Sequence, residues 1–172
     1  MAVSYLKKAA KSSATGEDDT RATVAQMLSA IEAGGEQRCI EYAAQLDGYH
    51  GNIIATSDDI AQATSRLSQQ VKDDIRFAHE RVNKFAQKQR QALIDFEVEL
   101  SPGLWAGQRQ IPVQTAGCYI PGGRYSHVAS AIMSVATAKA AGVKHVVACS
   151  PPKPDAGIND AILYTANYCG AD

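Results

Sequence analysis

Residues 117 to 127 read Gly117-Cys118-Tyr119-Ile120-Pro121-Gly122-Gly123-Arg124-Tyr125-Ser126-His127, and the chain then runs straight into a segment of very small residues ending at Gly142. An apolar run, a Pro-Gly-Gly turn and a helix, in that order, have a specific chemical use. A helix N-terminus presents free N–H groups and a partial positive charge, which favour phosphate or carboxylate. Two adjacent glycines let the backbone approach a ligand without interference from a Cβ. In open α/β sheets, ligands bind beyond the carboxyl ends of the strands, where this turn falls. Tyr119 could stack on or cover a flat ring, and Arg124 and His127 could face an anion.

The dinucleotide fingerprint G-x-G-x-x-G is absent, because Arg124, Tyr125 and Ser126 follow Gly122-Gly123. On this chemistry two readings stay open, a ligand-binding turn and a merely tight connection. Ala129, Ser130, Ala131, Ser134, Ala136 and Ala138 are better explained by close helix–sheet packing than by ligand contact.

No other motif carries chemistry. The histidines (His50, His79, His127, His145) are scattered, and none stands at HxxxH spacing. No CxxC, Gly-x-Ser-x-Gly or P-loop pattern occurs, so neither a catalytic residue nor a metal ligand is assigned. Cys39, Cys118, Cys149 and Cys169 are far apart, and three lie in apolar segments. They read as reduced, buried thiols of a cytoplasmic protein.

The elements that must position the turn come from a chain of 172 residues with formal net charge −1. That length suits one domain with an appendage. Near-neutral charge argues against nucleic acid as a main partner. No run of eighteen apolar residues exists to suggest a membrane span. Charge splits the chain unevenly: residues 1–100 hold 12 basic and 15 acidic side chains, residues 101–172 only 5 and 3.

Residues 1–19 read as a polar, flexible arm, residues 20–95 as a helical region and residues 96–172 as a parallel-strand portion. Val24, Met27, Leu28 and Ile31 mark a first helix, capped near Asp18-Asp19-Thr20 and ended by Gly34-Gly35. A second covers Glu36 to Leu46, and a third starts at Ser57 with Ile60, Ala63, Thr64 and Leu67 on one side. The longest helix is expected from about Gln69 to Leu93, with Val71, Ile75, Ala78, Val82 and Phe85 as its apolar stripe. Packing within its own domain and a subunit contact are both open to it.

Phe96 to Leu100 alternates like an edge strand, and Pro102-Gly103 turns it into a hairpin or ribbon. Ile111 to Val113 is expected extended and Cys118 to Ile120 a short strand, followed by a helix to Gly142. The β-branched run before Cys149 marks a strand covered on both faces, and a last helix is expected from Ala156 to Tyr168. Strand, helix, strand and helix make a βαβ unit with parallel strands. Gly170 stands where it would turn the chain toward a further strand. With one parallel neighbour the sheet is half finished, which leads to the expectation of a fragment or of a chain completed by another subunit.

The segment from Pro112 to Pro152 also resembles the histidinol dehydrogenase family. The matching residues are Pro112-Val113, Gly117, Tyr119, Pro121-Gly122-Gly123, Ala138-Lys139, Ala141-Gly142-Val143 and Pro151-Pro152. The helical segments from Ile31 to Tyr49 and Leu67 to Gln89 are similar to the family's N-terminal helices. The resemblance implies an NAD-dependent, zinc-containing homodimer with incomplete Rossmann-like domains, oxidising a primary alcohol through an aldehyde to a carboxylate. It puts Tyr119 at a nucleotide-contacting position, with Pro121, Gly122 and Gly123 forming its turn. It places the general-base Glu-His pair and the zinc ligands in later sequence, so this chain alone is expected to be inactive.

After Gly-Gly many histidine-pathway members carry a small apolar stretch, where this chain has Arg124 to Val135. That departure looks more like the branch acting on other alcohols, such as the sulfopropanediol dehydrogenases. A non-catalytic paralogue that binds only nucleotide or a partner chain is the alternative.

Overall fold

A computed structural model describes residues 15–122 and 125–172 of the chain. Gly123, Arg124 and the arm up to residue 14 lie outside the described residues. Helix α1 spans Thr15–Asp47, so it begins before the expected cap at Asp18-Asp19-Thr20. Its path breaks at Gly35, where φ is 59° and ψ −145°. The two expected helices are therefore joined end to end across a residue that only glycine adopts readily. The chain divides into two compact units, the first ending at Tyr42 and the second running Ala43–Asp172.

In the second unit α2 spans Ser57–Arg66 and starts with a capping box, Thr56 bonding to the Asp59 N–H and Asp59 to the Thr56 N–H. Helix α3 spans Gln69–Ala92 behind Ser68, whose hydroxyl accepts from the Val71 N–H. Its buried residues are Ile75 and Ala86, with Ala78 and Val82 packed partly against the core. The expected stripe thus holds in its middle and fails at its ends. Val71, in the first turn, is exposed, and so is Phe85, because Ala86 rather than Phe85 continues the step of four from Val82.

Strands β1 (Phe96–Ser101) and β2 (Leu104–Gln108) form the expected antiparallel hairpin. Gly103, at φ 82°, closes it after Pro102. Every residue of both strands is exposed.

Strand β3 (Thr115–Tyr119) pairs in parallel with β4 (His145–Cys149), and the helix between them completes the expected βαβ unit. That helix, α4, runs Val128–Ala131, passes through a π-helical turn Ile132–Ala136 and continues Thr137–Ala140. Helix α5 is Asp160–Tyr168, shorter than expected. Residues 153 to 157 form a tight turn instead, with Gly157 at φ 65°, and Asn159 caps the helix.

The core lies on one face of the β3–β4 sheet, where Cys118 and Val146 pack against Ile132, Val135, Ala136 and Cys169. A second cluster joins Ile120 and Ala131 to Ile162 and Ala166. Thr115, Gly117, Tyr119, His145, Val147 and Cys149 occupy the other face and are exposed. The expectation that β4 is covered on both faces is therefore corrected. Both α4 and α5 pack on the same side, and nothing among the described residues covers the other.

Gly170 does reverse the chain, at φ 93°. The Asp172 N–H then donates to the Val146 carbonyl at 2.9 Å, on the edge of β4 away from β3. Among the described residues no helix is long and apolar enough to cross a membrane.

Candidate functional site

The carboxyl ends of β3 and β4 lie side by side, with Tyr119 paired to Cys149. The pairing runs one residue further, since the Ile120 N–H donates to the Cys149 carbonyl at 2.8 Å. Ile120 is fully buried, which anchors the turn from below, whereas Tyr119 is 64% exposed on the open face. Two residues adjacent in sequence thus divide the work by the period of two of a strand. One packs, and the other is free to meet a ligand.

Past Ile120 the chain passes through half-buried Pro121 and Gly122. A Cβ on Gly122 would stand 3.2 Å from the Cδ and carbonyl oxygen of Pro151 and 3.3 Å from its Cβ. The close approach made by this glycine is therefore to the loop after β4, inside the chain itself. Gly123, the second glycine of the turn, and Arg124 are outside the described residues. Tyr125 and His127 are exposed, and no side chain caps the start of α4. Gly122 thus makes a tight connection to Pro151, and the Tyr119 ring before it is exposed.

Sequence reasoning missed Ser150. Its hydroxyl oxygen, in the residue directly after β4, is buried without a hydrogen-bond partner among the described residues. A buried hydroxyl with unspent hydrogen-bonding capacity is uncommon. Here it lies at the strand ends where open sheets bind ligands. The only signal in the sequence was its place before Pro151-Pro152, and that pair was read as a strand stop.

Cys149 corrects the reading of buried thiols. It is exposed, although partial desolvation and, secondarily, the nearby Cys118 raise its pKa. Cys118 and Cys169 are buried, and burial pushes the Cys169 thiol up to about 12. All four cysteines are free. Among the described residues no three His, Cys, Asp or Glu side chains converge to hold a metal ion.

Two ion pairs fix the elements around the site. The Arg66 guanidinium donates to both carboxylate oxygens of Asp160, at 2.8 and 2.6 Å, and ties α2 to the first turn of α5. That hydrogen bond lowers the Asp160 pKa and raises that of Arg66. At the other end of the sheet Asp172 accepts from Lys139 Nζ at 2.6 Å and from the Val146 N–H at 2.8 Å. Those bonds, the Lys139 one foremost, hold the Asp172 carboxyl below its ordinary range.

A family model described as histidinol dehydrogenase matches residues 10–172. The sulfopropanediol 3-dehydrogenase of Ruegeria pomeroyi is 51% identical over 172 residues, all of this chain and 40% of that protein. A histidinol dehydrogenase homolog of Pelagibacter ubique is 53% identical over 173 residues, with the same coverage of 100% and 40%. The histidinol dehydrogenase of Methanosarcina barkeri is 33% identical over 159 residues, 92% of this chain and 36% of that one. The chain thus spans about two fifths of the length of these curated relatives. In structure it is similar to histidinol dehydrogenase from Elizabethkingia anophelis, with a TM-score of 0.81 at 27% identity over 97% of this chain and 36% of that one. The mixed α/β fold, the parallel βαβ unit and the family model agree, and the chain belongs to the histidinol dehydrogenase family.

Proposed function

We propose that this chain is the N-terminal portion of an NAD-dependent, zinc-assisted dehydrogenase that oxidises a primary alcohol through the aldehyde to a carboxylate. The observation that carries the reading is the 51% identity, over the whole chain, to a sulfopropanediol 3-dehydrogenase. The histidinol dehydrogenase of Methanosarcina barkeri stands at 33%. That contrast supports a small anionic alcohol such as 2,3-dihydroxypropanesulfonate over histidinol as substrate. Arg124 and His127, which follow the turn in sequence, suit a sulfonate by their charge.

Tyr119 covers a flat ring of the nucleotide, while Pro121, Gly122 and Gly123 shape the turn beside it. The exposure of Tyr119 and the unpartnered Ser150 hydroxyl support a polar, ring-bearing ligand at the strand ends. NAD, when bound, supplies the hydride acceptor. The described residues do not fit zinc, since no cluster of three ligating side chains exists among them. No step is assigned through the metal. The whole protein is read as a cytoplasmic homodimer.

The test compares the whole protein and this chain, each given NAD with 2,3-dihydroxypropanesulfonate or with histidinol. The whole protein should form NADH faster with the sulfonate, and the chain alone should form none. Faster turnover of histidinol by the whole protein would overturn the substrate assignment, and turnover by the chain alone the assignment of the chemistry elsewhere. Titration with NAD then reads the site itself. Tyr119→Ala should weaken binding by roughly 2- to 10-fold, the worth of one aromatic contact. Unchanged affinity removes Tyr119 from the site.

A further inference from the structure

The segment Gly48-Tyr49-His50-Gly51-Asn52 follows α1, and the nucleotide reading leaves it without a part. Gly48, at φ 62°, ends the helix, and the Tyr49 N–H donates back to the Ala43 carbonyl at 3.1 Å. That bond across a left-handed glycine is the Schellman arrangement, which fixes the residue after the glycine against the last helical turn. Tyr49 is half-buried, and its hydroxyl donates to the Asn52 carbonyl at 3.0 Å. Backbone and ring are thus both held.

The ring meets a turn far along the chain. A Cβ on Gly157 would stand 3.4 Å from the Tyr49 hydroxyl oxygen, 3.7 Å from its Cε2 and 3.8 Å from its Cζ. The same three atoms are the nearest to Gly51, where a Cβ would stand 2.9 Å from Cε2 and overlap the hydroxyl. The tip of the ring therefore lies against two glycines, one in its own loop and one in the turn after β4. A Cβ on Gly48 would stand 4.0 Å from Cγ of Pro154, a second approach between the same loop and the same turn.

The turn is closed on itself. The Lys153 N–H donates to the Gly157 carbonyl at 2.8 Å, and the Gly157 N–H to the Lys153 carbonyl at 2.9 Å. Just before it, Pro151 packs on Gly122 of the candidate site. Pro151 and Pro152 each have φ fixed by their rings, so the link between turn and site is stiff. A displacement of the turn is passed to Pro151 instead of being absorbed on the way.

We propose that Tyr49 is a positioning residue for the strand-end site: it holds the Lys153–Gly157 turn, and the turn sets Pro151 against Gly122 beside Tyr119. The inference rests on the nucleotide reading above and adds to it a residue that acts through others.

The test uses the whole protein with the variants Tyr49→Ala, Tyr49→Phe and Gly51→Ala. Hydrogen exchange of a peptide covering residues 153–157 reads the hold on the turn without nucleotide, and titration with NAD reads the site. Tyr49→Ala should speed exchange in that peptide and weaken NAD binding by roughly 2- to 30-fold, the range for residues that act on a site without touching its ligand. Tyr49→Phe keeps the ring against the glycines and should restore most of both. Gly51 is not in the positive-φ region, so the ring is what an added methyl meets there. Gly51→Ala should push the ring tip aside and reproduce both losses with the tyrosine in place, which keeps the test open if Tyr49→Ala does not fold. Unchanged exchange in Tyr49→Ala and Gly51→Ala refutes the hold on the turn. Faster exchange with unchanged NAD affinity refutes the positioning role and leaves the nucleotide reading to Tyr119→Ala. An unsubstituted protein that binds no NAD overturns both.

Discussion

Gly122 and Gly117 are five residues apart, and the structure gives substitution at each a different outcome. A Cβ on Gly122 would meet three Pro151 atoms at 3.2 to 3.3 Å. Those atoms belong to a rigid ring and to backbone, so neither can rotate away. Overpacking of that kind costs about 1–3 kcal/mol. With a urea slope of about 1–3 kcal/mol per molar, Gly122→Ala should move the unfolding midpoint down by roughly 1 M. At Gly117 a Cβ meets nothing within 4 Å, and the backbone there is not in the positive-φ region. Gly117→Ala should be neutral or add about 0.4–1 kcal/mol by restricting the unfolded chain. Equilibrium urea unfolding of both variants without nucleotide makes the comparison. If Gly122→Ala unfolds with the unsubstituted chain, or both variants shift together, the assignment of this glycine to packing against Pro151 is refuted.

The Asp172 carboxylate, held by Lys139 and the Val146 N–H, has a lowered pKa. Its contribution is therefore present above the ordinary carboxylate value, about 3.9, and is lost as pH falls through the folded value. Slowed exchange of the Val146 amide should disappear over that acid range, and Asp172→Asn should weaken it already at neutral pH. Ile162 is 1% exposed between the sheet and the helices. Ile162→Ala should cost about 2–5 kcal/mol in urea unfolding, and a cost below 1 kcal/mol would show that this second cluster contributes little. In the folded chain Cys149 should react with iodoacetamide well before Cys169, whose burial and pKa of about 12 withhold its thiolate. Mass spectrometry of the labelled peptides reads the order, and equal labelling would contradict the burial.

What the sequence made legible was local chemistry. Pro102-Gly103 announced the hairpin, the run before Cys149 announced β4, and Gly34-Gly35 announced the break in α1, because each depends on the backbone preferences of a few neighbouring residues. What it could not give was the identity of the neighbour across space. The stripe on α3 was extended to Phe85 by periodicity, yet Ala86 is buried, since the neighbours that cover a helix's last turns are not written in its own spacing. The same limit explains β4. A run of Val146, Val147 and Ala148 shows that a strand tolerates cover on both faces, and it does not say whether the cover is supplied by this part of the chain.

The turn shows both halves of that rule at once. Gly122 signalled a close approach, and that approach is made, but glycine is silent about what approaches. At Gly122 the answer is Pro151, which stands 29 residues later in sequence and becomes its neighbour only through the β3–β4 pairing. A glycine-rich turn at a strand end is therefore evidence of crowding first and of a ligand second. The ligand reading has to rest on groups that crowding does not use. In this chain those are the exposed Tyr119 ring and the Ser150 hydroxyl, which has no partner among the described residues, one on each of the two paired strand ends.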